Sequence, residues 1–490
     1  MADLAALRAL TLPDTTVDSV EEHPGDDATP ASVRVQLTIT HPAAGDPVTV
    51  WVWLPVEGWN ERFQGTGGGG FLGGSPDALA DPLRAGYAAA ATDGGHPGPT
   101  ASFALDGRGR LDWPRIRAFG HVAVHEMTVA AKAVVTACYG RGPRFSYWNG
   151  CSTGGRQGLT EAQRHPGDYD GVLAGAPVIN YPQMQTAQLW GQVVMRERGT
   201  VVSAAKFEAA LAAVVAQCDT AGDGVADGVV ADPLGCTVDL DALVGLPTPD
   251  GPLTEADVAV VRAIGEGPRR RTGEFLWYGL PPGAPFAGLH DSEVVDGGLV
   301  GRPFVFDLWW FGLFLAQDPD WDWRTLGTDR FEAFFDQAVE QYSAVLAADD
   351  PDLSAFAERG GKALLWHGAA DFGVPLQGTL DYHERVQRLL GADRTHAFLR
   401  LFVAPGVGHC GGGVGPQPTG ALEALVDWVE HGRAPEQLLA RQVDGTGAVV
   451  ATRPLFPYPR VARWTGTGDP ADAASYAPVE GTRLELPPGR

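Results

Sequence analysis

The stretch Gly150-Cys151-Ser152-Thr153-Gly154 constrains the fold more than any other part of this sequence. It joins a short apolar run, residues 145–149, to a segment with helical spacing, residues 155–165. A serine between glycines at such a junction marks a sharp strand-to-helix turn, in which Cβ atoms beside the serine would collide. The turn lifts the hydroxyl to the carboxyl edge of a sheet, where open α/β folds place their sites. In a chain with 65 glycines the five-residue pattern alone is weak, so its surroundings matter. They agree with it. Residues 33–39 and 48–54 alternate as half-exposed strands, 87–92 read as a buried strand, 116–138 as a helix and 171–176 as a further strand. Alternation resumes with strand 362–366, helix 376–390, strand 398–403 and helix 420–430. Such alternation predicts a mostly parallel sheet.

Length and the change of character in mid-chain divide it. A chain of 490 residues is too long for one compact core. Residues 181–345 carry helical patterns (204–217, 255–264, 330–346), an Asp/Gly loop and tryptophans at 309, 310, 321 and 323. We expect an α/β-hydrolase fold built from residues 1–180 and 346–490, with 181–345 as a large inserted lid domain. The Pro-rich tail from residue 434 reads as irregular chain wrapping the core.

Sixty acidic against 36 basic residues give a formal charge of −24, with no basic stripe to neutralise phosphates. This argues against nucleic acid or an anionic membrane as partner. No apolar run is long enough to span a bilayer. The expected partner is a small molecule, and the chain a monomer or homodimer. The amino terminus lacks the charged start and apolar core of a secretory signal, which leaves a removed leader or another route open.

A serine needs a base to take its proton, and that base needs a carboxylate to orient it. In this fold the chain order is serine, acid, histidine. Asp371 and His409 follow the strands 362–366 and 398–403, so a Ser152–Asp371–His409 triad is predicted. His96, His125 and His367 compete for the base, but only His409 sits on a glycine-rich loop after the last strand; His367 is expected either to support Asp371 or to pack beneath its loop. The oxyanion needs backbone N–H donors. One is expected from Thr153, the other from the glycine loop 67–70, at Gly68 or Gly69.

With these residues located, the chain resembles the tannase and feruloyl esterase family, which includes hydrolases of terephthalate half-esters. The resemblance rests on Cys151-Ser152, Asp371 and His409-Cys410, and on Gly154-Gly155-Arg156-Gln157, Gly175-Ala176-Pro177 and Arg453-Pro454-Leu455. It implies a Cys151–Cys410 disulfide beside the catalytic pair, and a second bridge, Cys218–Cys236. It also implies a structural Ca²⁺ in the lid, held by Asp219, Asp223, Asp227 and the carbonyls of Val225 and Val229. Short-spaced carboxylates with glycine turns suit a hard cation, although one extra residue separates the first two aspartates. Val33, Phe456 and Ala477 stand where the family has further cysteines, leaving Cys138 unpaired.

The function implied is hydrolysis of aromatic-acid esters (feruloyl, galloyl or chlorogenate type) through an acyl-enzyme. The alternatives are a terephthalate half-ester hydrolase, an acyltransferase using the same triad, a peptidase, and a non-catalytic calcium-stabilised binding protein. An apolar lid slot would take the aromatic group, with Trp309-Trp310-Phe311 as lining or as lid core.

Overall fold

The computed structural model describes residues 4–27, 29–41 and 46–488 and separates into two compact units. The first unit comprises Met1–Ile179, Ala344–Leu364 and Leu425–Arg433. Its sheet contains β1 (Thr15–His23), β2 (Ser32–Thr40), β3 (Pro47–Pro55), β4 (Arg62–Thr66), β5 (Ala88–Thr92), β6 (Phe145–Cys151) and β7 (Gly171–Gly175), in the order β1-β2-β3-β5-β4-β6-β7. The first four strands in that order pair antiparallel, and the pairs β5–β4, β4–β6 and β6–β7 are parallel. Register follows the hydrophobic alternation. Val33, Val35, Leu37 and Ile39 of β2 lie opposite Leu54, Val52, Val50 and Val48 of β3, all buried. A one-residue slip would turn this whole set to the other face. Strand β5 is Ala88-Ala89-Ala90-Ala91-Thr92 and wholly buried; its small side chains let helix Ala123–Tyr139 pack against it.

The expected helix 116–138 is interrupted. Helix Trp113–Arg117 passes into a π-helical turn, Ala118–Val122, before Ala123–Tyr139. The wider turn leaves the carbonyls of Phe119 and Gly120 to the guanidinium of Arg156, which is fully buried and donates to them at 3.1 and 2.7 Å. Arg156 belongs to helix Thr153–Arg164, which packs on β6 and β7 and begins at Ser152.

The second unit comprises Asn180–Ser343, Leu365–Ala424 and Ala434–Arg490. Its edges at 179/180 and 343/344 match the expected lid closely, yet 365–424 and 434–490 join it instead of remaining with the first unit. The reason lies in bonds made far along the chain: Tyr278 donates to Asp381, Gln188 to the Gly373 carbonyl, and Trp464 N–H to the Asp223 carbonyl. Helices Ala204–Cys218 and Glu255–Glu266 share an apolar core through Phe207, Val214, Val258, Val261 and Phe286. A capping box between Thr254 and Asp257 starts the latter. Here too lie Leu399–Ala404, its sheet neighbour Lys362–Gly368 (which begins in the first unit), and helix Leu376–Leu390 at its expected bounds.

The tail is not irregular. Leu438–Val443 pairs antiparallel with Val449–Leu455, and Arg460–Trp464 with Tyr476–Glu480. Its prolines fall mainly between strands, and Tyr458 N–H bonds the Leu401 carbonyl at 2.7 Å. Trp310 and Phe311 are fully buried, Trp310 donating to Thr186 and Phe311 stacked on Trp321. They form core within their unit.

Candidate active site

Ser152 sits between β6 and helix Thr153–Arg164 at φ 61°, ψ −122°, a backbone conformation that costs a non-glycine residue on the order of 1–3 kcal/mol. The strain is held from both sides. Ser152 N–H bonds the Gly175 carbonyl at 2.9 Å, and the Ser152 carbonyl accepts from Arg156 N–H at 3.0 Å. A Cβ on Gly150 would come within 2.7 Å of the Gly154 backbone, and one on Gly154 within 3.1 Å of Gly67 and Gly68. Sterics thus explain both flanking glycines.

The glycine loop locks onto the same helix start. Gly154 N–H bonds the Gly68 carbonyl (2.9 Å), Thr153 Oγ1 donates to the Gly70 carbonyl (2.6 Å), and Gln157 takes Gly68 N–H (3.0 Å) while donating to the Gly73 carbonyl (2.9 Å). This corrects one expectation: the Gly68 N–H is spent on Gln157 and is not available to an oxyanion. The Gly69 N–H makes no hydrogen bond among the described residues. Gln157 was visible in the sequence only as part of the Gly154-Gly155-Arg156-Gln157 run; its role needs the loop and helix face to face.

The second unit holds the other two triad candidates. His409 Nδ1 lies 2.7 Å from Asp371 Oδ2. Asp371 is fully buried, and its Oδ1 accepts N–H bonds from Gly373 and Val374, both at 2.9 Å. His367 Nε2 is 2.8 Å from the Val374 carbonyl and 3.3 Å from Asp371 Oδ2. Burial alone would raise the Asp371 carboxyl, but His367 and His409 outweigh it and hold it at about 2. Burial pulls His409 down, and its bond to the carboxylate outweighs that, leaving it above the ordinary imidazole value. Asp371 and His409 are therefore brought together, and His367 supports the acid. His96 is a packed residue, stacked on Phe103 and bonded to the Phe71 carbonyl.

His409 borders a cleft of about 590 Å³ within the second unit. Leu211, Val215, Phe372 and Val414 are among its apolar lining, and Glu208 is its one carboxylate. Four lining glycines (406, 408, 411 and 413) belong to the histidine loop.

Cys218 and Cys236 form a disulfide with Cα atoms 5.6 Å apart. Cys151 and Cys410 are each disulfide-bonded, and Cys138 is buried and outside the disulfides. Beside the first bridge, Gly222, Gly224 and Gly228 turn the Asp-rich loop with positive φ. Asp219 Oδ1 accepts from the N–H of Asp227 and Gly228, and Arg453 reaches Asp223 at 3.4 Å and Asp227 at 2.5 Å. Oxygens of Asp219, Asp223 and Asp227 do not gather within 4.8 Å of one another. Even beside Arg453, burial raises the Asp223 carboxyl to about 6. One guanidinium against three carboxylates leaves this all-oxygen donor set short of positive charge, which fits a hard cation.

The family model for tannase and feruloyl esterase matches residues 33–479. A probable feruloyl esterase from Arthroderma benhamiae is 40% identical over 455 residues, covering 90% of this chain and 84% of the relative. A mono(2-hydroxyethyl) terephthalate hydrolase from Piscinibacter sakaiensis is 32% identical over 505 residues, covering 86% and 80%. Among solved structures, feruloyl esterase B from Aspergillus oryzae superposes with a TM-score of 0.83 at 26% identity, covering 96% of this chain and 98% of that one.

Proposed function

The chain belongs to the tannase and feruloyl esterase family, with its α/β-hydrolase fold, and on that premise we propose that it hydrolyses esters of aromatic acids through a serine acyl-enzyme. His409 takes the Ser152 proton as Ser152 attacks the ester carbonyl; the alcohol leaves with that proton, and water repeats the sequence in reverse roles to free the acid. Asp371 keeps His409 in the tautomer whose Nε2 is the base. The N–H groups of Thr153 and Gly69 hold the oxyanion. A Cys151–Cys410 disulfide would tie the elbow to the histidine loop. The observation that carries the reading is the buried Asp371–His409 pair, whose carboxylate accepts two backbone N–H bonds besides the imidazole.

The cleft beside His409 favours neutral aryl esters over terephthalate half-esters. Its walls are apolar and its one fixed charge, Glu208, repels a carboxylate. The Asp-rich loop is assigned a structural Ca²⁺ held by Asp219, Asp223, Asp227 and the carbonyls of Val225 and Val229. It would supply charge neutralisation and no chemical step.

The test is a panel of methyl ferulate, methyl gallate, chlorogenate and a terephthalate half-ester, assayed with wild type and Ser152→Ala. Wild type is expected to turn over the neutral aryl esters and the variant to lose that activity. Full activity in the variant would refute the mechanism. Added alcohol separates an acyltransferase, by transfer product exceeding free acid. Matched amides separate a peptidase, and an organophosphonate that fails to label Ser152 would point to a binding protein.

A further inference from the structure

A second cluster of ligand-type side chains lies in the first unit, at the far end of the helix that begins at Ser152. His165 caps helix Thr153–Arg164, Asp168 follows in the next turn, and His125 projects from helix Ala123–Tyr139. His125 Nδ1 is 2.6 Å from Asp168 Oδ2, and the two imidazole rings stack with centroids 3.7 Å apart at 9°. One ligand atom from each of His125, His165 and Asp168 lies within 4.8 Å of the other two; among the described residues no other trio does so.

Glu161, one turn before His165 on the same helix, is 1% exposed and lies beside the Asp168 carboxylate and the Lys132 ammonium. The neighbouring Lys132 ammonium donates to the main-chain carbonyl of Asp168. The corner thus holds two carboxylates and two imidazoles around one lysine.

We propose that this corner is a binding site for a divalent transition metal of the Zn²⁺ class, with His125, His165 and Asp168 as ligands and Glu161 as the buried carboxylate behind them. Mixed imidazole and carboxylate donors suit Zn²⁺. The stacked rings must turn out of parallel for their nitrogens to converge on one ion. Both histidines are only partly buried, which gives them room to do so. The ion would clamp the carboxyl end of the Ser152 helix to its neighbour, at the opposite end of that helix from Ser152.

The test uses untagged full-length protein, stripped with chelator and dialysed against Zn²⁺ with excess Ca²⁺ present to fill the Asp-rich loop. One Zn²⁺ per chain is expected, with affinity at least tenfold weaker in His125→Gln/His165→Gln and in Glu161→Gln, and unchanged in Asp219→Asn. Co²⁺ should give visible d–d bands in wild type that the double variant lacks. Failure of wild type to retain Zn²⁺ at micromolar concentration, or equal uptake by the double variant, would overturn the proposal. Should the double variant not fold, diethylpyrocarbonate labelling of wild type decides: Zn²⁺ should protect His125 and His165, and equal labelling with and without Zn²⁺ refutes the site.

Discussion

Asp371→Asn tests the acid's role most directly, because the structure gives the carboxylate four neighbours that an amide cannot satisfy together. Oδ1 accepts two backbone N–H groups at 2.9 Å, while Oδ2 faces His409 Nδ1 at 2.7 Å and His367 Nε2 at 3.3 Å. An ionised carboxylate is all acceptor, whereas asparagine has one oxygen and one donating NH₂. With the oxygen kept on the two backbone donors, the NH₂ must face the histidines. His409 then accepts at Nδ1 and carries its proton on Nε2, the atom that has to serve as base. In the best-studied serine triad the same substitution lowers kcat about 10⁴-fold, or ~5.5 kcal/mol at 1.36 kcal/mol per decade. The same order is expected here, with little change in KM. Losing the carboxylate also removes what raises His409, so the acidic limb of the kcat/KM profile should move to lower pH. The sign is fixed because the active base is neutral imidazole: in wild type, activity falls as pH drops through the raised His409 value. The assay is methyl ferulate hydrolysis from pH 5 to 9, with circular dichroism to verify folding. A folded variant within tenfold of wild-type kcat and with an unmoved acidic limb would refute the orientation argument.

The glycine loop offers a steric contrast. A Cβ on Gly68 meets the Leu72 carbonyl oxygen at 2.0 Å, whereas one on Gly69 meets nothing within 4 Å. Gly68→Ala should lower the urea unfolding midpoint by the equivalent of about 1–3 kcal/mol, and Gly69→Ala should leave it within error. Removing Ca²⁺ with EGTA should lower the thermal midpoint of wild type, and Asp223→Asn should abolish that sensitivity; an EGTA-insensitive wild type would remove calcium from the loop. Glu208→Lys should improve kcat/KM for a terephthalate half-ester relative to methyl ferulate by about tenfold, since ~1–2 kcal/mol is what one reversed charge contributes near a protein surface. An unchanged ratio would place the acyl group elsewhere. Stability should also fall in acid. The Asp371 carboxyl is held below its ordinary 3.8, so its contribution is full above that value and is lost as pH falls through about 2, read as a declining thermal midpoint.

Much of the site was legible because its chemistry is local in sequence. The elbow declares itself through two glycines whose Cβ atoms have no space, and the acid and base through their places just beyond strand ends. Helix 376–390 was legible to the residue, its period uninterrupted and Gly391 closing it. What failed was whatever depends on a distant partner. The tail strands hide among prolines because each is short and paired only with its neighbour in the fold. The π-helical turn at Ala118–Val122 has no sequence mark; it is paired with a buried arginine 36 residues further along.

The sequence by itself determined that a serine would sit on a strained turn between strand and helix, since that follows from backbone sterics within five residues. It also determined the order of acid and base, while the pairing Cys218–Cys236, closed over 18 residues, came from the family resemblance. Only the tertiary structure decided which groups share a hydrogen bond. It assigned Gly68 N–H to Gln157, set His367 behind Asp371, turned Arg453 onto the Asp-rich loop, and buried Glu161 beside Asp168 and Lys132. Those outcomes depend on directions and distances between residues far apart in the chain, and a one-dimensional pattern carries neither.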